Sequence, residues 1–266
     1  MKIFGILNIT EDSFSDGGKF LDVDAAMAHA ALLASTGADV IDIGAASSNP
    51  QSSSVPSELE ITRLAAVVPA LKARGLKLSI DSFNPIVQRW ALEQRVDWIN
   101  DINGFPDDAL YPALARSQCG LVVMHMVQEG GIAVGMDVPT SEIFSRVTKF
   151  FDYRIATLTA AGIARERLVL DPGMGFFLGR DPENSHEILR RLPELKKRYG
   201  LPLLISVSRK SFLRAGRPPA GKETLGATLA AEFFAAGQGA DMLRTHEPGP
   251  LLAGLKLMKS LDKALT

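Results

Sequence analysis

The sequence predicts a single-domain (β/α)8 TIM barrel, and three observations lead there. Short runs rich in Val, Ile and Leu recur along the chain, each ending in polar residues or glycine and each followed by a longer amphipathic stretch with helical spacing. Eight such units follow one another with no linker or low-complexity tract between them. The 266 residues, 46% of them hydrophobic, are enough to fill one core, and α/β barrels commonly run to this size as one domain, here 1–266. The alternation implies parallel strands, and eight uninterrupted units favour closure over an open doubly wound sheet, which the count alone leaves as the alternative.

Taken in order, the first strand, 3–8, carries Ile-Phe-Gly-Ile-Leu into Asn8 and precedes a helix at 24–35. The second, 40–44, stops at Gly44 before a helix at 57–73, and the third and fourth, 76–81 and 98–101, end in carboxylates before helices at 85–94 and 109–117. The fifth, 121–125, ends at His125 before the helix 141–161; the sixth, 168–171, ends at Asp171 before 184–199. The seventh, 203–207, runs into Ser208-Arg-Lys before 225–236, and the eighth, 242–245, runs into His246 before 250–264. Gly37-Ala-Asp39 and Gly239-Ala-Asp241 repeat one helix-to-strand connection.

Charge narrows the partner class. Lys and Arg number 29 against 30 Asp and Glu, so nothing in the balance points to nucleic acid, an anionic membrane or a polyanionic protein, and a small-molecule ligand is expected. The single Cys119 sits among apolar residues and reads as a buried, inert thiol in a reducing compartment. The opening run is too short for a signal peptide and no apolar stretch reaches membrane-spanning length, so a cytoplasmic location is expected.

In such barrels the chemistry lies on loops after the strands, and the opposite rim serves stability. That rule selects Asn8, Asp81, Asn100, Asp101, His125, Asp171, Arg209, Lys210, Arg244 and His246, and sets aside Asp39, Asp97 and Asp241 as turn or cap residues. The loop from Asn8 to Gly18 is long, polar and glycine-containing, the mark of a lid or binding loop. After the sixth strand, Asp171-Pro-Gly-Met-Gly-Phe176 combines an acceptor with glycines that let a ligand approach the backbone, with a flat ligand expected beneath Phe176. Lys210, Arg244 and His246 gather cationic groups where barrels often build phosphate sites. Asp81, Asn100 and Asp171 suit an amino-substituted nitrogen heterocycle, so one ligand could carry both a ring and an anion. No His/Cys spacing suits zinc, and no glycine-rich sequence matches a dinucleotide or Walker loop; any metal is expected to be Mg²⁺ held largely by diphosphate oxygens.

Asn8-Ile-Thr-Glu-Asp-Ser-Phe-Ser-Asp-Gly-Gly, Asn100-Asp-Ile, Met124-His, Asp171-Pro-Gly-Met-Gly-Phe, Ser208-Arg-Lys-Ser and Arg244-Thr-His together resemble the dihydropteroate synthase family, across nearly the whole chain and in the family's order. The resemblance implies a (β/α)8 homodimer that joins 6-hydroxymethyl-7,8-dihydropterin diphosphate to p-aminobenzoate with loss of diphosphate. It implies that Asp81, Asn100, Met124, Asp171 and Lys210 hold the pterin, that Ser48, Arg244 and His246 hold the diphosphate, and that Asn8 helps place Mg²⁺. Phe176, Lys210, Ser211 and Phe105 would border p-aminobenzoate, and Asp81, Lys210, Asp12 and Phe14 would serve catalysis, the last two from a closing first loop.

Three features depart from the common family pattern: Asn49 stands where an Arg usually precedes Pro50, Ser206 replaces a usual Gly, and Phe105 lies in the loop after the fourth strand. They resemble the acquired, sulfonamide-insensitive branch of the family, with Phe105 expected to fill space that a sulfonamide needs. Two other readings stand beside this one. A pterin-binding methyltransferase domain would need no diphosphate site, and a non-catalytic pterin-binding paralogue would account for the absent loop-two Arg.

Overall fold

The computed structural model describes residues 1–10, 22–46, 55–128, 136–214 and 224–264. Eight strands form one sheet: β1 (Lys2–Asn8), β2 (Val40–Gly44), β3 (Leu78–Asp81), β4 (Trp98–Asp101), β5 (Gly120–Met124), β6 (Leu168–Asp171), β7 (Leu204–Ile205) and β8 (Met242–Thr245). Every pairing is parallel, in the order β6-β5-β4-β3-β2-β1-β8-β7, and a bridge between Leu170 and Leu203 joins the two ends. The chain is therefore a closed (β/α)8 barrel rather than an open doubly wound sheet.

The described helices are α1 (Val23–Thr36), α2 (Ser57–Ala73), α3 (Pro85–Glu93), α4 (Tyr111–Arg116), α5 (Thr140–Ala160), α6 (Pro182–Arg190), α7 (Leu192–Tyr199), α8 (Leu225–Gly237) and α9 (Pro248–Ala264). Their starts follow local chemistry. Asp22, Asn84 and Asp181 each accept a first-turn backbone N–H, and Pro85 and Pro182 stand where a helix needs no donor. The helix expected at 184–199 is two helices, because Pro193 cannot donate to the preceding turn and α7 restarts around it. The segment expected at 109–117 divides likewise into a 3₁₀ turn at Asp108–Leu110 and α4.

Strand parity sorts the core. Ile3, Ile41, Ile43, Leu78, Ile80, Ile99, Leu121, Leu168 and Leu243 face outward beneath the helices. The alternate positions Phe4, Val40, Val122, Val169, Leu204 and Met242 fill the barrel interior, with Trp98 packed against them. Trp98 meets the Phe4 ring edge-on at 5.6 Å inside the barrel. A Cβ on Gly120 would stand 2.2 Å from its ring, so the indole fits only because position 120 has no side chain.

The lower rim is tied by a repeated device. Asp39 accepts the N–H of Ile3, Asp97 that of Leu78 and Asp241 that of Leu203, so each aspartate entering a strand caps the strand beside it. Cys119 is buried nearby, and burial pushes its thiol up to about 12. No described helix is long and apolar enough to cross a membrane.

Candidate active site

Two residues above the interior layer, at or just past the C-terminal ends of the same strands, the inward positions turn polar at Asp42, Asp81, Asn100, Asp171, Ser206 and Arg244, with Met124 the one apolar side chain among them. Strand alternation alone therefore brings them to one mouth. A narrow cavity opens there, lined by Asp81, Asn100, Ile102, Met124, Asp171, Met174, Phe177, Ser206, Lys210 and Arg244. The five residues expected to hold a pterin, Asp81, Asn100, Met124, Asp171 and Lys210, are all in its wall.

Electrostatics in the cavity are set by burial. Burial pushes Asp81 up to about 7, with Arg244 pulling the other way and Asp42 adding to the rise. Asp171 is raised to about 6 by burial, opposed by the N–H of Gly173 that its Oδ1 accepts at 2.8 Å. Lys210 is lowered to about 8 by burial and by Arg244, with Asp171 and Asp81 opposing; its Nζ lies 4.6 Å from the centre of the Phe177 ring. Burial alone would lower Arg244, but Asp42 and Asp81 hold it well above the usual guanidinium range. Its Nε donates to Asp42 Oδ2 at 2.5 Å and its Nη2 to Asp81 Oδ2 at 2.6 Å. Asn100 Oδ1 is buried without a protein partner, an acceptor left for a ligand.

Apart from the five pterin residues and Arg244, the described residues expected in the site lie outside the wall of this cavity. Phe105 does not border the cavity: it is 1% exposed and belongs to the core beneath the helices. Asp101 explains why, since its carboxylate accepts the N–H groups of Asn103 and Phe105 and the Gln88 side chain, and the turn runs through left-handed Gly104 and Phe105. The Phe105 carbonyl is then taken by Arg154 and the Tyr111 hydroxyl, which fixes the ring inward under the loop. Phe176 is 45% exposed and outside the cavity wall; the turn Gly175–Leu178 presents Phe177 to the cavity instead. His246 is not a cation, because burial followed by Arg209, Arg244 and Lys210 lowers it to about 3; its Nδ1 lies 3.0 Å from the Ser208 hydroxyl. Ser211 is half-buried at the start of the turn Ser211–Arg214 and does not line the cavity. Asp12, Phe14 and Ser48, with Asn49, lie outside the described residues.

Asn8 ends β1 beside Gly44 of β2, exposed. A Cβ at position 44 would stand 3.5 Å from Asn8 Oδ1, an ordinary contact distance, so the Asn8 amide lies directly beside the end of β2. Among the described residues no group of three or more His, Cys, Asp or Glu could cage a metal ion. One neutral hard oxygen at the mouth fits Mg²⁺ that takes its other ligands from substrate and water. His125, lowered to about 4 by burial, is neutral and lies 3.2 Å from the Pro172 carbonyl, which makes it an organiser of the β6 loop.

Sequence reasoning missed Asp42, Phe177, Ile102 and Met174. Asp42 carried a signal, a lone carboxylate inside the otherwise apolar Val-Ile-Asp-Ile-Gly strand and two residues beyond an inward Val40.

Comparison with known proteins agrees with this geometry. Residues 4–246 match the pterin-binding enzyme family. The chain is 56% identical to the type-2 dihydropteroate synthase of Escherichia coli, over 98% of this chain and 96% of that one. It superposes with a TM-score of 0.87 on a Xanthomonas albilineans dihydropteroate synthase solved with 4-aminobenzoic acid, at 35% identity over 98% of this chain and 93% of that one. The dihydropteroate synthase of Anaplasma phagocytophilum, solved with 6-hydroxymethylpterin-monophosphate, gives 0.86 at 36% identity over 98% of both chains. With the pterin-type acceptors, the lysine and the arginine meeting at one barrel mouth, the chain belongs to the dihydropteroate synthase family of pterin-binding enzymes.

Proposed function

We propose that this cavity binds 6-hydroxymethyl-7,8-dihydropterin diphosphate and joins it to p-aminobenzoate, releasing diphosphate. The observation that carries the reading is the meeting of Asp81, Asn100 and Asp171 with Lys210 and Arg244 in one cavity, where Asn100 Oδ1 has no protein partner. Asp171 and Asn100 accept from the ring N–H and amino groups, Met124 packs on its face, and Lys210 donates to a ring acceptor. Arg244 and neutral His246 donate to the leaving group, and Mg²⁺, with Asn8 as a protein ligand, supplies charge neutralisation of the diphosphate when bound. The bond from the exocyclic methylene carbon to the diphosphate oxygen breaks, and the positive charge spreads into the ring. The buried Asp81 carboxylate stabilises that charge, because a fixed dipole or charge in a dry site needs no reorganisation as the reaction proceeds. The amine nitrogen then forms the new C–N bond and gives up one proton.

The long first loop, with Asp12 and Phe14, belongs to this reading as a cover that keeps water from the cation; Ser48 joins the diphosphate contacts, and Phe176 and Ser211 the edge of the p-aminobenzoate site. Sulfonamide insensitivity is part of the proposal, but the buried position of Phe105 moves its seat elsewhere. Homodimer assembly and a cytoplasmic location complete it. A corrinoid-dependent methyl transfer or binding without turnover would be the competing outcomes, and the paired cations at the mouth favour the diphosphate reaction over both.

The test is incubation of the purified protein with pterin diphosphate, p-aminobenzoate and Mg²⁺. Dihydropteroate is expected, with kcat/KM falling on the order of 100-fold or more in Lys210→Ala and in Asp171→Ala while circular dichroism stays native. Full turnover in both variants rejects the assigned site.

A further inference from the structure

Arg244 is held on two sides that differ in one respect. Asp42, which accepts from Nε, is 0% exposed and lies outside the cavity wall; Asp81, which accepts from Nη2, is in the wall with its side chain 20% exposed. A ligand can therefore compete for the bond to Asp81 and cannot reach the bond to Asp42. The guanidinium carries five N–H donors in a rigid plane, so with Nε bonded to Asp42 its Nη donors can exchange one acceptor for another without losing the first bond. Asp42 Oδ1 has no hydrogen-bond partner among the described residues, and Asp171 and Lys210 are further charged groups that act on this arginine. Among the described residues Asp42 is the side chain that accepts from Nε, and it anchors the orientation of the arginine at the mouth.

We propose that Asp42 is a positioning residue for the leaving-group cation, keeping the Nε edge of Arg244 in place while the Nη2 edge passes from Asp81 to the diphosphate. This rests on the reading that the cavity takes a pterin diphosphate. The exchange has a second effect: the Asp81 carboxylate is released from its ion pair as the leaving group claims the arginine, so it becomes free to face the ring when positive charge develops there. Asp42 never touches substrate in this scheme and acts only through Arg244.

The experiment compares equilibrium binding of 6-hydroxymethylpterin diphosphate and of 6-hydroxymethylpterin, both with Mg²⁺, to the native protein and to Asp42→Asn by titration calorimetry. The neutral amide keeps an acceptor oxygen but not the charge. The variant is expected to bind the diphosphate about 30-fold more weakly and the unphosphorylated pterin within about threefold of native. In an Arg244→Lys background, which has no Nε to hold, Asp42→Asn is expected to cost less than about twofold further. Equal losses for both ligands, or a full additional loss in the Arg244→Lys background, would assign Asp42 a merely structural role and overturn the proposal. Should Asp42→Asn fail to fold, since removing one partner of a buried ion pair is costly, Asp42→Glu keeps the charge but displaces it, and the same selective loss is expected. Failure of the native protein to bind either pterin would reject the functional reading instead, a different result.

Discussion

Buried ionisable side chains govern this protein's response to pH, and each has a nameable cause. The proposed reaction uses Asp81 and Asp171 charged and Lys210 protonated. With the acids raised to about 7 and about 6 and the lysine lowered to about 8, kcat/KM is expected to rise as pH passes through 6 to 7 and to fall above about 8. A Lys210→Arg variant retaining measurable turnover should lose the alkaline limb; an unchanged limb would remove Lys210 as its source. Glu232 on α8 bears on stability instead. It is 0% exposed, and burial raises it to about 7 against the opposing pull of the Thr245 hydroxyl beside it. Because its folded value lies above its unfolded one, the native state holds the proton more tightly, and stability present at low pH is lost as pH rises toward 7. Relative to Glu232→Gln, the native protein should lose roughly 3 kcal/mol between pH 4 and 8, measured as the difference between urea midpoints across that range. Phe105 belongs to the same scale: Phe105→Ala should cost about 3–5 kcal/mol of stability by leaving a core cavity, and a variant as stable as native would contradict its burial.

At the scale of elements, alternation along each strand does two jobs at once. Outward residues such as Ile41 and Ile80 anchor helices, while inward Val40 is followed two residues later by Asp42, and inward Trp98 by Asn100. The eight strands and most helix bounds were legible because composition changes sharply at their ends. The break at Pro193 was legible in principle but hidden by an apolar period that continues across it. The aspartates entering β2, β4 and β8 read correctly as belonging to the stability rim, yet their actual partner, an N–H on the neighbouring strand, follows from sheet pairing and not from local sequence. Asp97→Ala should therefore lower stability by about 1 kcal/mol and leave kcat unchanged in a steady-state assay; a fall in kcat would show that the lower rim is coupled to the mouth.

Across the whole molecule the barrel is closed unevenly. β1 and β2 share five register pairs, whereas β6 and β7 meet through the single Leu170–Leu203 bridge and the Leu170 N–H to Pro202 carbonyl bond. Local opening takes the least-supported hydrogen bonds first, so the Leu170 amide should exchange with deuterium sooner than those of Ile41 and Ile43; slower exchange at Leu170 would place the weak seam elsewhere. The seam matters because Asp171 and Lys210 stand on its two sides.

The sequence by itself determined the barrel, most of the strand-end residues that line the cavity and the family, because hydrophobic periodicity and contiguous motifs are properties of neighbouring residues. Tertiary structure decided what depends on distant ones: that Arg244 is shared by Asp42 and Asp81, that Phe177 and not Phe176 walls the cavity, that Phe105 turns inward, and that His246 is neutral. Side-chain direction at a loop is set by hydrogen bonds to remote groups, and charge state by desolvation, and both appear only when the chain has closed on itself.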